Sequence, residues 1–312
     1  MKSLRRTIIF LSLFALIFGP VVVKQLMPSS GRDFEYVSLE QTSYAEIIFH
    51  NSRQDIALAG MLFVPQGEGP FPTVVVIHGS GTSRRDNGWY LTLTDHLQKN
   101  GVAVLLPDKR GSVQSEGDWR SADFVDLATD TLAAIDYLKT QDQVMISTVG
   151  VVGMSQGGWI APIVASESDD VTFLVSLVGS AVTPAEQLRY EENHNLRQIG
   201  FLPIISDTLA VLSTAYIKNI GQAAFWDAVG DYDPMPYWRE LDIDALAMFG
   251  RDDTNVPSEK SAAKLNDLRN LKIRVRVYDG SGHALADPVE HGNDLIRYDV
   301  LEDISEFIES VN

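Results

Sequence analysis

The chain contains no cysteine. Disulfides, thiolate metal sites and a cysteine nucleophile are therefore excluded, whatever compartment the protein occupies. Positive charge is scarce: 25 Lys and Arg stand against 42 Asp and Glu, a formal charge of −17. Such a surface repels nucleic acid and anionic lipid headgroups, and no basic cluster downstream offsets it. No nucleic-acid partner is expected. Internal repeats and low-complexity tracts are also absent. What is present is 312 residues, 45% of them hydrophobic, with charge of both signs. That suits one large globular α/β domain, or one such domain with an insertion.

The first stretch reads as a targeting or anchoring segment. Lys2, Arg5 and Arg6 precede an apolar run from Thr7 to Val23, interrupted by Ser12 and by Gly19-Pro20. The run is long for a signal-peptide core and short for a comfortable membrane span. Positive charge ahead of it holds the N-terminus in the cytoplasm and sends the remainder outward. No clear Ala-x-Ala site follows, so the expectation is export, with either a retained membrane tether or cleavage near Met27–Gly31. Arg5-Arg6-Thr7-Ile8-Ile9 bears a loose likeness to a twin-arginine signal. Residues 28–44 read as a linker.

Two apolar runs, Ala45–Phe49 and Ile56–Phe63, flank polar residues and predict an antiparallel hairpin. Val74–Ile77 is a continuous β-branched run, as in a strand covered on both faces. Strands are also predicted at Val102–Leu106, Thr148–Val152, Phe173–Val178, Ala245–Phe249 and Ile273–Tyr278, the last alternating as an edge strand would. Helices are predicted over Trp89–Lys99, from a Ser121 cap to about Lys139, and from a Ser258 cap to about Leu268. Ile296, Val300, Leu301, Ile304, Phe307 and Ile308 mark a closing amphipathic helix. Alternating strands and helices specify a mostly parallel sheet with right-handed crossovers. From about residue 181 to 241 the alternation stops. Thr183-Pro184-Ala185-Glu186 is a capping box, and further helices are predicted at Asp207–Ile220 and Gln222–Val229. Such an insertion lies above the strand ends as a lid. Of its aromatics, Tyr190, Phe201, Trp226, Tyr232, Tyr237 and Trp238, most are expected in its own core rather than in a substrate pocket.

The chemistry centres on Gly153-Met154-Ser155-Gln156-Gly157-Gly158, between a predicted strand and a predicted helix. Gly-x-Ser-x-Gly alone is a weak pattern; in this context it is a nucleophile elbow. The glycines make room where helix and strand approach, and the hydroxyl stands at a helix mouth where exposed N–H groups favour negative charge. A serine hydroxyl needs an adjacent base, and histidine suits. Of six histidines, only His78 and His283 sit in glycine-rich turns after predicted strands. Ligands bind beyond the carboxyl ends of such strands. His78 comes early, beside a loop with another task, so His283 is the expected base. Its carboxylate partner is Asp253 or the adjacent Asp252, just after a core strand; the acid then lies between nucleophile and base. An oxyanion needs two N–H donors. Gln156 is expected to supply one, and Ser80 the other, with Gly79 as the alternative.

These motifs resemble the α/β-hydrolase superfamily, specifically serine esterases of the dienelactone-hydrolase-like and prolyl-oligopeptidase-like branch. The resemblance runs from about Ile47 to the C-terminus. It rests on His78-Gly79-Ser80-Gly81, Asp108-Lys109-Arg110-Gly111, the elbow, Gly250 through Pro257, and Gly282-His283. It implies a mostly parallel sheet flanked by helices over residues 45–312, with a helical lid at about 181–241. The family pattern Gly-x-x-Asp-x-x-Val-Pro selects Asp253 over Asp252. Two departures stand out. Relatives often continue Arg-Gly with a second glycine before Ser, where this chain has Val113. Dienelactone hydrolases proper use cysteine, which this chain lacks. Only a hairpin precedes the core, in place of the propeller of prolyl oligopeptidases.

The expectation is a serine hydrolase acting on small carboxylic esters, with a Ser155–His283–Asp253 triad and no metal or organic cofactor. An amidase, peptidase or thioesterase on the same triad is the alternative. A non-catalytic binding module on this fold is a further one.

Overall fold

The structure, a computed structural model, describes residues 19–24, 26–27 and 31–312. Most of the expected targeting segment, residues 1–18, lies outside the described residues. Among the described residues no helix is long and apolar enough to cross a membrane. The first helix, α1, is described over 19–24 and 26.

Eight strands form one sheet: β1 (Ala45–Asn51), β2 (Ile56–Phe63), β3 (Phe71–Ile77), β4 (Ala103–Pro107), β5 (Ile146–Met154), β6 (Val171–Leu177), β7 (Asp244–Gly250) and β8 (Ile273–Tyr278). Their order is β1-β2-β4-β3-β5-β6-β7-β8. The β1–β2 and β2–β4 pairs are antiparallel, and all the others are parallel. This is the α/β-hydrolase fold. The parallel strands end along one edge of the sheet, and the loops leaving that edge carry the chemistry-bearing motifs. β8 is the edge strand its alternation predicts.

Helices cover both faces. α2 (Gly88–Lys99) and α10 (Tyr298–Val311) pack on one, burying Leu91, Leu97, Ile304 and Phe307 with Val74, Val76 and Met248. α3 (Phe124–Thr140), α4 (Gly157–Glu167) and α9 (Ser258–Asp267) pack on the other, with Val75, Ile77 and Val151. β3 is thus buried on both sides, which is why its sequence does not alternate. Between β6 and β7 stand α5 (Pro184–Gln198), α6 (Pro203–Tyr216), a π turn (Ile217–Gly221), α7 (Ala223–Val229) and α8 (Met235–Glu240).

Local signals and observed structure differ in a few places. The cap of α3 is Asp123 rather than Ser121; its carboxylate accepts from the Asp126 N–H at 2.6 Å in a reciprocal capping box. A carboxylate takes that role readily because it also meets the positive helix end. Pro257 caps α9, and Ser258 is its first helical residue. Ile296 precedes α10 but is buried beneath it. The stretch expected as a linker is tied to the domain. Arg32 Nη1 donates to Asp287 O at 2.5 Å, Glu35 N to Asn293 O at 2.8 Å, and Val37 N to Thr92 Oγ1 at 3.1 Å. Polar residues at 31–44 gave no sign of these partners, which lie far along the chain.

Candidate active site

The turn after β5 places Ser155 at φ +54°, a left-handed conformation that an L-residue holds only when its surroundings enforce it. The surroundings are close. A Cβ on Gly153 would lie 2.3 Å from Gly157 O, and one on Gly157 would lie 2.1 Å from Ile77 O. Ser155 N donates to Leu177 O at 2.9 Å, and Gly158 N to Ser155 O at 2.8 Å. The turn is pinned to both neighbouring strands, leaving the hydroxyl at the sheet edge.

Ser155 Oγ lies 2.9 Å from His283 Nε2, and His283 Nδ1 lies 2.8 Å from Asp253 Oδ2. The carboxylate requires Nδ1–H as donor, leaving Nε2 to accept from the serine. Asp253 is buried, and its Oδ1 accepts from Asn255 N at 2.7 Å and Val256 N at 2.9 Å. Asp252 is exposed. Burial and the two amide donors, which lie two and three residues on, separate the neighbours. Tyr190 Oη donates to Asp253 O at 2.8 Å, and Trp89 Nε1 to Ala284 O at 2.9 Å. These bonds hold the acid and histidine loops from the lid and from α2.

The loop after β3 closes over the serine. Gly79 N donates to Tyr90 Oη at 2.8 Å, so this amide is already taken. Among the described residues, the N–H groups of Ser80 and Gln156 donate to no protein acceptor. Burial pushes the His78 pKa down to about 4, so the ring is neutral. Its Nε2–H donates to Pro107 O at 2.6 Å, bracing the loop against the end of β4. The Asp108-Lys109-Arg110 motif is scaffolding: Arg85 Nη2 donates to Asp108 Oδ2 at 2.8 Å and Arg110 Nε to Asp130 Oδ2 at 2.7 Å. Lys109 lies deeper. Its Nζ donates to Gly79 O at 2.8 Å and Gln156 Oε1 at 2.7 Å, joining the two loops that flank the serine. Burial pushes its pKa down to about 7.

Ser155 opens onto a cleft of about 830 Å³ beneath the lid. Trp119, Trp159, Phe225 and Trp226 form much of its wall. Of the lid aromatics, Trp226 lines the cleft, Trp238 is fully buried, and Tyr232 packs on Phe124 and donates to Trp159 O at 2.7 Å. The charged residues of its lining are Arg120, Glu191 and Glu192. Burial raises the Glu191 pKa, opposed by the nearby His283. Among the described residues no cluster of His, Asp and Glu is arranged to hold a metal ion. Lys109 stood in a sequence motif without an assigned role, and neither Tyr90 nor Glu191 was singled out. A lysine two residues past a buried strand was the one available signal.

Comparison with known proteins agrees with this architecture. The family model described as BAAT / Acyl-CoA thioester hydrolase C terminal matches residues 132–291. Esterase EstD of Thermotoga maritima is 27% identical over 75% of this chain and 61% of its own length. The peroxisomal succinyl-coenzyme A thioesterase of Mus musculus is 26% identical over 73% of this chain and 52% of its own. The chain thus spans between half and two thirds of these relatives. Among solved structures, an esterase of Pyrococcus furiosus superposes with a TM-score of 0.65 at 18% identity, covering 92% of this chain and 98% of that one. With a family match over half its length, laid on an α/β-hydrolase fold with the Ser155 elbow at its centre, the chain belongs to the BAAT / acyl-CoA thioester hydrolase C-terminal family.

Proposed function

We propose that the protein is a serine hydrolase that cleaves small carboxylic esters through an acyl-enzyme intermediate. One observation carries this reading: the unbroken hydrogen-bonded line from Ser155 through His283 to buried Asp253, opening onto the cleft. Ser155 Oγ attacks the ester carbonyl carbon while His283 Nε2 takes its proton. The oxyanion so formed lies against the free N–H groups of Gln156 and Ser80. The tetrahedral intermediate collapses, the C–O bond to the alcohol breaks, and Nε2–H protonates the leaving oxygen. Water then attacks the acyl-enzyme carbonyl, giving its proton to Nε2. Collapse releases the carboxylic acid, and the proton returns to Ser155 Oγ. Asp253 holds the Nδ1–H tautomer throughout and offsets the charge of the imidazolium. No step requires a metal or an organic cofactor.

A thioester substrate is the second reading, favoured by the family match and the mouse relative. The cleft weighs against a coenzyme A thioester. Arg120 is its one lining cation, whereas Glu191 and Glu192 stand where a polyanionic leaving group is disfavoured. Reaction with a fluorophosphonate probe, lost on substituting Ser155, separates an enzyme from a binding module. Turnover of p-nitrophenyl esters, acyl-CoA thioesters and anilides then ranks the bond types. Faster turnover of acyl-CoA than of every ester overturns the ester assignment. The reading of residues 1–27 as an export segment, cleaved or retained as a membrane tether, is part of the same proposal. Full-length protein found soluble in the cytoplasm with its N-terminus intact removes it.

A further inference from the structure

Helix α6 turns much of its apolar repeat to solvent. Its period is helical, but Ile204, Val211 and Leu212 face solvent, with Tyr216 at the margin and Ile220 following in the π turn. Ile204 is 79% exposed and Leu212 63%. Its packed side carries buried Ser206 and Ala210 and half-buried Ser213, with Ile205 and Leu209 half-buried beside them. That side meets α5 through polar contacts. Arg197 Nε donates to Ser206 Oγ at 3.3 Å, Ser206 Oγ to Asn193 Oδ1 at 3.0 Å, and Ser213 bonds to Glu192. A surface helix of a globular protein normally turns its apolar stripe to the core. Here several large apolar side chains share one exposed side, a cluster of the kind that marks an interaction site.

The face is almost uncharged in a strongly acidic chain. Between Pro203 and Gly221 the charged residues are Asp207 and Lys218. It also adjoins the N-terminal segment. α1 lies against Gly200, just ahead of α6: a Cβ there would come within 2.7 Å of Pro20 O and 2.8 Å of Val21 Cα. Val22, Val23 and Leu26 of α1 are exposed as well. In the sequence, the mainly apolar run from Thr7 to Phe18 precedes the described part of α1 and is itself preceded by Lys2, Arg5 and Arg6. Pro20 and Val21, which lie at the edge of this face, thus follow the most lipid-compatible stretch of the sequence. Ile217, Ile220 and Gly221, which follow α6, line the catalytic cleft.

We propose that α6, the π turn and α1 form a bilayer-docking surface, whose exposed apolar side chains enter the outer part of a lipid leaflet and turn the cleft mouth toward it. Net negative charge does not oppose this on a zwitterionic surface, because contact is made through uncharged side chains. α6 then lies in the plane of the interface, as amphipathic helices do, with its serine side toward the protein.

The absence of cysteine supplies the test, since any introduced cysteine is unique. Ile204→Cys and Leu212→Cys are made singly in the full-length chain and labelled with an environment-sensitive fluorophore. Leu271→Cys serves as reference; it is 97% exposed and precedes β8, at the opposite end of the parallel strands from Ser155. Each protein is reconstituted into phosphatidylcholine vesicles. The labels at 204 and 212 are expected to shift to the blue, lose emission to a quencher carried on the lipid acyl chains, and resist aqueous iodide. The label at 271 is expected to do the reverse. Labels at 204 and 212 that behave like the reference overturn the proposal. So does protection that persists without lipid and brings energy transfer between copies, which assigns the face to a second copy of the chain. The readout involves no turnover, so it stands apart from the hydrolase assignment.

Discussion

Lys109 Nζ donates to the side-chain oxygen of Gln156 at 2.7 Å, and so ties a buried amine to the residue that follows Ser155. The same Nζ holds Gly79 O, one residue before Ser80. Both proposed oxyanion donors thus sit on peptides steered by one side chain. Lys109→Met is expected to lower kcat by roughly ten- to a hundredfold with little change in KM, since misplaced donors are felt mainly in the transition state. Steady-state kinetics on a p-nitrophenyl ester checks this. A rise in KM with kcat intact removes the steering role.

Lys109 also gives stability a pH dependence. Burial depresses its pKa from 10.5 to about 7, so between those values the unfolded chain binds a proton that the folded chain does not. Stability from this group therefore rises with pH across that window and is lowest below it. The stability of wild type relative to Lys109→Met should increase by about 2–3 kcal/mol between about pH 7 and pH 9. Urea melts of both proteins at each pH measure it. A difference that stays constant, or falls, contradicts a neutral buried amine.

Ser155→Ala should lower kcat by on the order of 10⁴- to 10⁶-fold. Thermal melting should hardly move. Alanine has the same backbone cost at this left-handed position, and the turn's own hydrogen bonds are main-chain. Residual turnover within tenfold of wild type would falsify the nucleophile assignment.

Asp253→Asn should cost about 10⁴ in kcat, because the amide favours the wrong imidazole tautomer. Asp252→Asn should cost no more than a few-fold, since that side chain is exposed and outside the line to Ser155. Paired kinetic measurements decide between them, and the reverse order of loss exchanges the two roles.

Val113 is a β-branched residue at φ +51°, exposed, in the loop after Arg110-Gly111. Relief of left-handed strain outweighs the entropy that glycine adds to the unfolded chain, so Val113→Gly should stabilise by roughly 1 kcal/mol. Chemical denaturation reads the change, and a loss of stability shows that the valine side chain makes a compensating contact.

The strands and most helices were legible because their signals are local. A β-branched run without alternation, such as Val74–Ile77, means burial on both faces, and glycines around a serine mean close backbone approach. The order of Ser155, Asp253 and His283 along the chain was likewise readable, since each follows a predicted strand that ends at the same sheet edge. Local signals fell short where the partner is remote. Arg32 finds its acceptors at residues 287–293, Gly79 loses its amide to Tyr90, and Lys109 reaches Gln156 across two loops. None of these pairings leaves a mark within a short window of sequence.

By itself, then, the sequence determined the order and kind of elements and the residues available for nucleophilic chemistry. Only the tertiary structure decided which donors remain free, which of two adjacent acids is buried, and which way α6 faces. A helical repeat records that one side differs from the other, not which side is packed. Ile204 and Leu212 recur as regularly facing out as they would facing in; packing of α5 against Ser206, Ala210 and Ser213 settled the matter.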